Sequence, residues 1–430
     1  MKQLAVLHHG AGRLIVLTLL LLPWPVGAAD ETAELRLDLS GLIRELEAAN
    51  PEIKAARQRW ESAKAVVPQV QTLPDPRLQL GYQRMPMVPP VVEGVMYGVG
   101  QEIPFPGKLK LKGEVAQRDA ERLEQEYLAV RLRLIASLKE AYFSLHFIHK
   151  SSDIVERNKA LLTQFEKTAK ARYSVGQAAQ QDVFRAQVEI SRVLDRLAVL
   201  DQQKESLHAA INRLLNRPPD GLLGTPEEVH STLLTLPLQE LNRRANEFSP
   251  ALLATAKGID RSERSVSLAK RQYYPDFDVT ALGIRNDKIN DNGYQIMVGI
   301  EIPLYYETKQ KQGVHEAVAN LEGAREDFTA ARQDLLFQVK DGFVQAQRAE
   351  RLITILRDAI IPQATLGLQA AQAGYAVGKV DFLTLLNSLL TLQDSQLELH
   401  SEMVNHEKAL ARLEAATGGP LEGLERKPRS

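Results

Sequence analysis

Two stretches of helix-forming sequence set the terms for the rest of this chain. They run from Pro104 to Gly176 and from Pro303 to Gly378, separations of 72 and 75 residues. At 1.5 Å of rise per residue, a mostly helical run of that length extends roughly 110 Å. A compact domain cannot contain such a rod, so the fold must be elongated. Within the first run Ala116, Ala120, Leu123, Tyr127, Val130, Leu134, Leu138, Ala141, Leu145 and Ile148 recur at spacings of three and four, the seam of a coiled coil. A second stripe, Leu128, Leu132, Ile135 and Tyr142, lies to one side, which gives the rod neighbours on two flanks.

Each rod stops at a Tyr-x-x-Gly, in RYSVGQAAQQDV at 172–183 and in GYAVGKVDFLTLL at 374–386. Glycine adopts the left-handed backbone that ends a helix, so Gly176 and Gly378 are predicted to turn the chain into return helices at about 180–216 and 380–416. Those helices close at NRPPDG and at ATGGP. The two halves match further. Glu102-Ile103-Pro104 recurs as Glu301-Ile302-Pro303 and Asn50-Pro51 answers Ser249-Pro250, both at an offset of 199, while Tyr173 and Gly176 answer Tyr375 and Gly378 at 202. The chain reads as a tandem duplication, with a first half over 30–220, a connecting segment over 221–248, a second half over 249–418 and a tail over 419–430.

Before each rod the periodicity switches to two. Leu78, Leu80 and Tyr82 alternate with Gln79, Gly81 and Gln83; Val95, Tyr97 and Val99 alternate with Met96, Gly98 and Gly100; Tyr294, Ile296, Val298, Ile300 and Ile302 alternate with Gln295, Met297, Gly299 and Glu301. One face is apolar with tyrosines and the other is polar or bare. That suits a strand with lipid outside and water inside, and segment by segment it also suits a soluble hairpin on a core. Two strands per half make four, which cannot close a transmembrane barrel, and hydrocarbon does not tolerate an open edge. In the membrane reading several chains must share one barrel: two give eight strands and three give twelve, and the wider one leaves an aqueous path. The fold class is therefore mostly α, with long coiled-coil hairpins and a small β portion.

Composition removes other classes. The 53 basic and 54 acidic residues leave a formal charge of -1, without the basic excess of a nucleic-acid binder. With no cysteine there is no disulfide, no thiolate chemistry and no lipid on an N-terminal cysteine. Lys2 and Arg13, the apolar run Leu14–Leu22 and the small residues of PVGAAD predict a signal peptide over residues 1–29, and hence export from the cytoplasm.

The mature sequence resembles the outer-membrane factors of the TolC type, from NPEIKAARQRWESAKA at 50–65 through ARLEAATG at 411–418. The resemblance rests on the tandem halves, on QEIPFPGKLKLKGEVA at 101–116 with its partner IEIPLYYETKQ at 300–310, and on the two tips. It implies a homotrimer in outer-membrane lipid, with a twelve-stranded barrel continued by a long helical barrel through the periplasm. It further implies docking of the tips, at Tyr173, Gly176, Tyr375 and Gly378, onto a periplasmic adaptor (a membrane fusion protein) and so onto an inner-membrane efflux transporter. The PFPGKL junction is closest to the heavy-metal branch. Relatives often carry an aspartate in an LLDA-like segment near the second tip, where this chain has Leu385-Leu386-Asn387-Ser388. The acidic constriction of the family is thus not carried over intact: Thr384 and Asn387 are neutral, and Asp182 and Asp381 complete the candidate gate.

Other chemistry is sparse. His146 and His149 share one helical face, but nothing in the sequence completes a metal set, so a structural role is favoured. Met85, Met87 and Met96 follow no fixed spacing and read as packing rather than a copper site. No nucleophile elbow, phosphate loop or HExxH occurs, so neither catalysis nor a cofactor is expected. Two functions from different classes remain, a passive efflux duct and a periplasmic coiled-coil scaffold; apolar-faced strands favour the duct. Its cargo, whether metal ions, drugs or a secreted protein, is not written in the channel.

Overall fold

The same series of elements is laid out twice along the chain: a short strand, two helices, a strand pair and a long helical hairpin. The computed structural model describes residues 36–85, 92–229, 232–286 and 291–421; the expected signal peptide, Met87 and the end of the tail lie outside them. The first half comprises β1 (Arg36–Leu37), α1 (Leu39–Ala49), α2 (Pro51–Gln71), β2 (Arg77–Met85), β3 (Val92–Ile103), α3 (Lys108–Ser174) and α4 (Gln180–Leu214). The second comprises β4 (Thr225–Pro226), α5 (Leu238–Phe248), α6 (Pro250–Arg271), β5 (Asp276–Asn286), β6 (Asp291–Glu301), α7 (Gln310–Ile355), a π-helical turn (Leu356–Ile360), α8 (Ile361–Ala376) and α9 (Phe382–Ala416). The expected connecting segment, 221–248, therefore contains α5, an 11-residue helix matching α1 in length and offset by 199 residues. The sequence divides the halves later than the structure does, because the short amphipathic α5 carries few letters in common with α1.

The rods are equal in length: α3 has 67 residues, and α7, the π turn and α8 have 46, 5 and 16. At 1.5 Å per residue each is about 100 Å long. Nothing in the periodicity announces the π turn. Pro362 lacks an N–H and its ring would strike the carbonyl four residues back, and the wider turn just ahead of it absorbs that clash. The extra three residues of the second half fall at the sheet-to-rod junction, where Pro303 to Lys309 replaces Pro104 to Gly107.

The sheet has the order β2-β3-β5-β6, antiparallel throughout. In register, Leu80 faces Tyr97, Tyr97 faces Gly283 and Gly283 faces Tyr294. Position 283 must be glycine, since a Cβ there would sit 2.7 Å from the Tyr97 ring. Strand β5 does not stand out in the alternation because Ala281 and Gly283 are small on its apolar face. That face is uncovered by any described part of the chain, with Leu80 85% and Tyr294 89% exposed.

Three cores hold the helices. One lies toward the rod ends, among α3, α4, α8 and α9, and includes Leu162, Phe165, Ala186, Phe382 and Leu389. The other two lie at mid-length, one around Leu46, Leu138, Leu145 and Ile211, the other around Leu241, Leu335, Val339 and Leu413. Leu138 and Leu145 from the predicted seam are fully buried, each contributing roughly 2 kcal/mol by removal from water. The mid-length cores are pinned by polar links. Tyr142 accepts from the Glu227 N–H at 3.0 Å and donates to the Leu37 carbonyl at 3.1 Å, tying β1 and the β4 segment to α3.

His146 sits beside this seam, 4% exposed. Burial pushes its pKa down to about 4, helped by the charge of Lys150 and by His400. The imidazole stays neutral in the fold while it protonates near pH 6.5 in the unfolded chain, so its contribution is intact above pH 6.5 and lost as pH falls from there toward 4. Between pH 6.5 and 5 this amounts to about 2 kcal/mol. The His146→Gln protein is expected to lose correspondingly less stability than wild type when chemical unfolding is compared at pH 7 and pH 5; parallel losses in the two proteins would show that His146 does not carry the effect.

Candidate functional site

At the far end of the rods the chain reverses twice by the same hydrogen bonds. Gln177 N–H reaches the Arg172 carbonyl at 2.8 Å and Gly176 N–H the Tyr173 carbonyl at 3.0 Å; Lys379 N–H reaches the Gly374 carbonyl at 2.9 Å and Gly378 N–H the Tyr375 carbonyl at 3.1 Å. This is a Schellman closure, which needs a residue at positive φ. Gly176 stands at +73° and Gly378 at +77°. Space around the two differs: nothing lies within 4 Å of a Cβ at Gly176, whereas one at Gly378 would meet the Arg172 guanidinium at 3.0 Å.

Arg172 joins the two tips, a role the sequence did not reveal. Its Nη1 donates to the carbonyls of Tyr375 and Ala376, its Nη2 donates to the Gln177 carbonyl, and the guanidinium lies 5.0 Å from the centre of the Tyr375 ring. A cation at the carbonyl end of α8 also meets the negative end of the helix dipole. The counterpart of Arg172 in the second tip is Gly374, against which Val380 packs, so the link runs one way. The two tyrosines part company accordingly. Tyr375 is 4% exposed and meets Phe382 edge-on at 5.6 Å, while Tyr173 is 46% exposed. Val175 and Val377, which share one position in the two Tyr-x-Val-Gly turns, are also exposed. That repeated valine is the signal that could have marked an apolar tip.

Behind the tips lie the residues singled out for a gate. Asp381 caps α9: its Oδ1 accepts the Thr384 N–H at 3.0 Å. Hydrogen bonds from the Thr384 side chain and N–H hold its carboxyl below the usual range. Asp182, in the first turn of α4, is pushed up by burial and by the Asp381 charge, against the pull of Arg185. The two carboxylates therefore belong to one electrostatic neighbourhood. Thr384 and Asn387 are exposed on the side of α9 away from Phe382, Leu385, Leu386 and Leu389. Ser388 and Thr391 hydroxyls bond back to the Thr384 and Asn387 carbonyls at 2.8 Å, so the stripe is polar and neutral.

The remaining candidates fall elsewhere. His146 and His149 are displaced downward in pKa mainly by burial, and His149 also by His208. Among the described residues no group of three or more histidines and carboxylates is placed to hold a metal ion. Met96 lies across from Gly81, on the face of the sheet away from Tyr97 and Leu80. No described helix is long and apolar enough to cross a membrane.

Long paired hairpins below an open-edged sheet with a bare apolar face define a wall segment of an α/β channel. The chain belongs to the outer membrane efflux protein family, whose profile matches residues 42–217 and again 241–419. It is similar to the cobalt-zinc-cadmium resistance protein CzcC of Cupriavidus metallidurans, 21% identical over 347 residues that cover 80% of this chain and 81% of that one. Among solved structures it superposes on the outer membrane protein VceC of Vibrio cholerae with a TM-score of 0.76 at 19% identity, covering 89% of this chain and 97% of that one. It also superposes on CusC with a TM-score of 0.78 at 16% identity, covering 89% and 92%. The chain is an outer-membrane efflux channel component whose helical hairpins lie on the periplasmic side. Members of the family are channel proteins that work as trimers with adaptor and pump partners.

Proposed function

We propose that three copies of this chain form one passive duct, that its tips dock a periplasmic adaptor and through it an inner-membrane transporter, and that its cargo is divalent transition-metal ions. The observation that carries the reading is the repeat itself. Inside one chain, β3 of the first half pairs with β5 of the second, and α3 packs against α6. Strand β6 corresponds to β3, and β2 to β5, but both end at open edges. The same join made between copies pairs β6 with the next β2 and closes twelve strands. The cargo follows from the likeness to a cobalt-zinc-cadmium resistance protein. Exposed Tyr173, Val175 and Val377 around the paired glycines offer a small apolar knob for an adaptor's helices. Thr384, Asn387, Asp182 and Asp381 then ring the periplasmic mouth, with two of the four positions uncharged.

Two experiments separate these parts. In a strain lacking the chain, wild type is expected to restore growth on cobalt, zinc and cadmium, whereas Gly378→Arg is expected to reach the outer membrane as a trimer by detergent-corrected light scattering and yet fail to restore it. Unchanged metal tolerance in the deletion strain would overturn the cargo, and rescue by Gly378→Arg would overturn the tip assignment. In planar bilayers the resting Asn387→Asp channel is expected to be more cation-selective and more strongly blocked by divalent ions than wild type, because a ring of carboxylates concentrates cations. Equal selectivity and block would place Asn387 away from the mouth.

A further inference from the structure

The two halves repeat the same join between helices, with different residues at it. In the first half α4 ends where α2 begins. Asn50 bridges them: its Oδ1 accepts the N–H groups of Glu52 at 2.8 Å and Ile53 at 3.2 Å, and its Nδ2 donates to the Leu214 carbonyl at 2.8 Å. In the second half α9 ends where α6 begins, and the matching residues are smaller. Ser249 stands for Asn50 and makes no side-chain cap, Ala416 stands for Leu214, and Thr417 stands for Leu215. Helix α6 packs against α3 and α7, and so does α9. Between the four, at this join, lies a cavity of about 800 Å³.

Its lining has a definite chemistry. Buried Ala136 of α3, Ala254 of α6, Leu335 of α7 and Ala416 of α9, with half-buried Val130 of α3, supply its apolar side chains. Arg122, Arg133 and Arg412 stand at the edge together with Glu126, Glu140 and Asp327, three charges of each sign. Those arginines are engaged, Arg412 with Glu140 at 2.6 Å and Arg133 with Glu52 at 3.2 Å, and Arg122 with Asp119 at 3.0 Å and also with Glu126. The rim therefore offers no net charge to attract an ion. A volume of this size lies in the range of sites for small organic molecules, which combine mostly apolar walls with a few polar groups at defined places. Ser249 and Ala416, each smaller than the Asn50 and Leu214 they match, both line this space, and the ion pair of Arg412 with Glu140 holds α9 against α3 beside it.

We propose that this cavity is a binding site for a small uncharged organic molecule with an apolar body, seated in the wall between α3 and α7 and separate from the tips. All four helices belong to one chain, so an assembled channel carries one such site per copy. The site does not depend on what the channel exports.

The cysteine-free sequence makes the test clean. Ala254→Cys would place the only thiol of the full-length protein in the cavity lining, in protein assembled in lipid nanodiscs. The control is Ser206→Cys, an exposed position on α4, a helix that contributes nothing to the lining. N-phenyl-1-naphthylamine, an uncharged apolar probe, is expected to slow the reaction of the thiol at 254 with a small maleimide at least fivefold and to leave the reaction at 206 unchanged, with both rates corrected for probe dissolved in the nanodisc. A thiol at 254 that does not react, or reacts equally fast with and without the probe, overturns the proposal. A second protein, Ser249→Asn with Ala416→Leu, places the larger residues of the first join in the cavity. It is expected to melt at a higher temperature than wild type and to lose the upward shift in melting temperature that the probe gives wild type. A probe-induced shift that persists in this variant also overturns it.

Discussion

An antiparallel sheet of four strands leaves two rows of backbone N–H and C=O groups without partners, and in hydrocarbon each such group costs several kcal/mol. Here those rows belong to β2 and β6. The same strands carry Leu80, Tyr82, Tyr294 and Ile296 on a face that no other described part of the chain covers. The bare face asks for lipid and the bare edges forbid it to a single chain. Self-association of the kind proposed above satisfies both demands, by pairing the edges and turning the bare face to lipid.

Inside the chain, the rods are kept in register by contacts that differ along their length. Toward the tips, apolar packing of α3, α4, α8 and α9 is supplemented by the buried Asn158–Gln393 hydrogen bond of 2.9 Å. At mid-length, charged side chains do more of the positioning. Lys139 pairs with Glu414, Arg217 with Glu45 at 2.5 Å, and Glu407 accepts the Thr232 N–H at 2.8 Å. At the sheet junction Lys108, 3% exposed, donates to Asp276 at 2.8 Å and to the Tyr274 carbonyl at 2.9 Å, fixing the start of α3 to β5. The lysine of the PFPGKL motif is thus a joint between the halves, which explains what that sequence signature does mechanically.

Much of this architecture was legible because it rests on periodicity. The rods, both glycine turns and three of the strands follow from spacings of three-and-four and of two. What was not legible depends on contacts between residues far apart in sequence. Arg172 is one charged residue among many until the fold brings it to the α8 carbonyls some 200 positions later. The role of Asp381 as a helix cap was available from its place before Phe382 and three residues ahead of Thr384, but the same letter also suited a gate. Strand β5 hid behind small side chains, and the π turn depends on how Pro362 is accommodated rather than on any pattern. The unequal joins at Asn50 and Ser249 were visible as Asn-Pro against Ser-Pro; that Ser249 lines a cavity was not.

The repeat also sets the register that one copy must adopt on the next. Gln101 faces Val279 within the chain, and shifting both by the 199-residue offset places Ile300 opposite Leu80 of the neighbouring copy. The most direct test is therefore the double variant Leu80→Cys and Ile300→Cys in an otherwise cysteine-free chain, oxidised in native membranes and resolved on a denaturing, non-reducing gel. Closure of the sheet between copies predicts covalent dimers and trimers that neither single variant gives and that a reductant abolishes. Monomer alone, with both thiols free or joined within one chain, would contradict it.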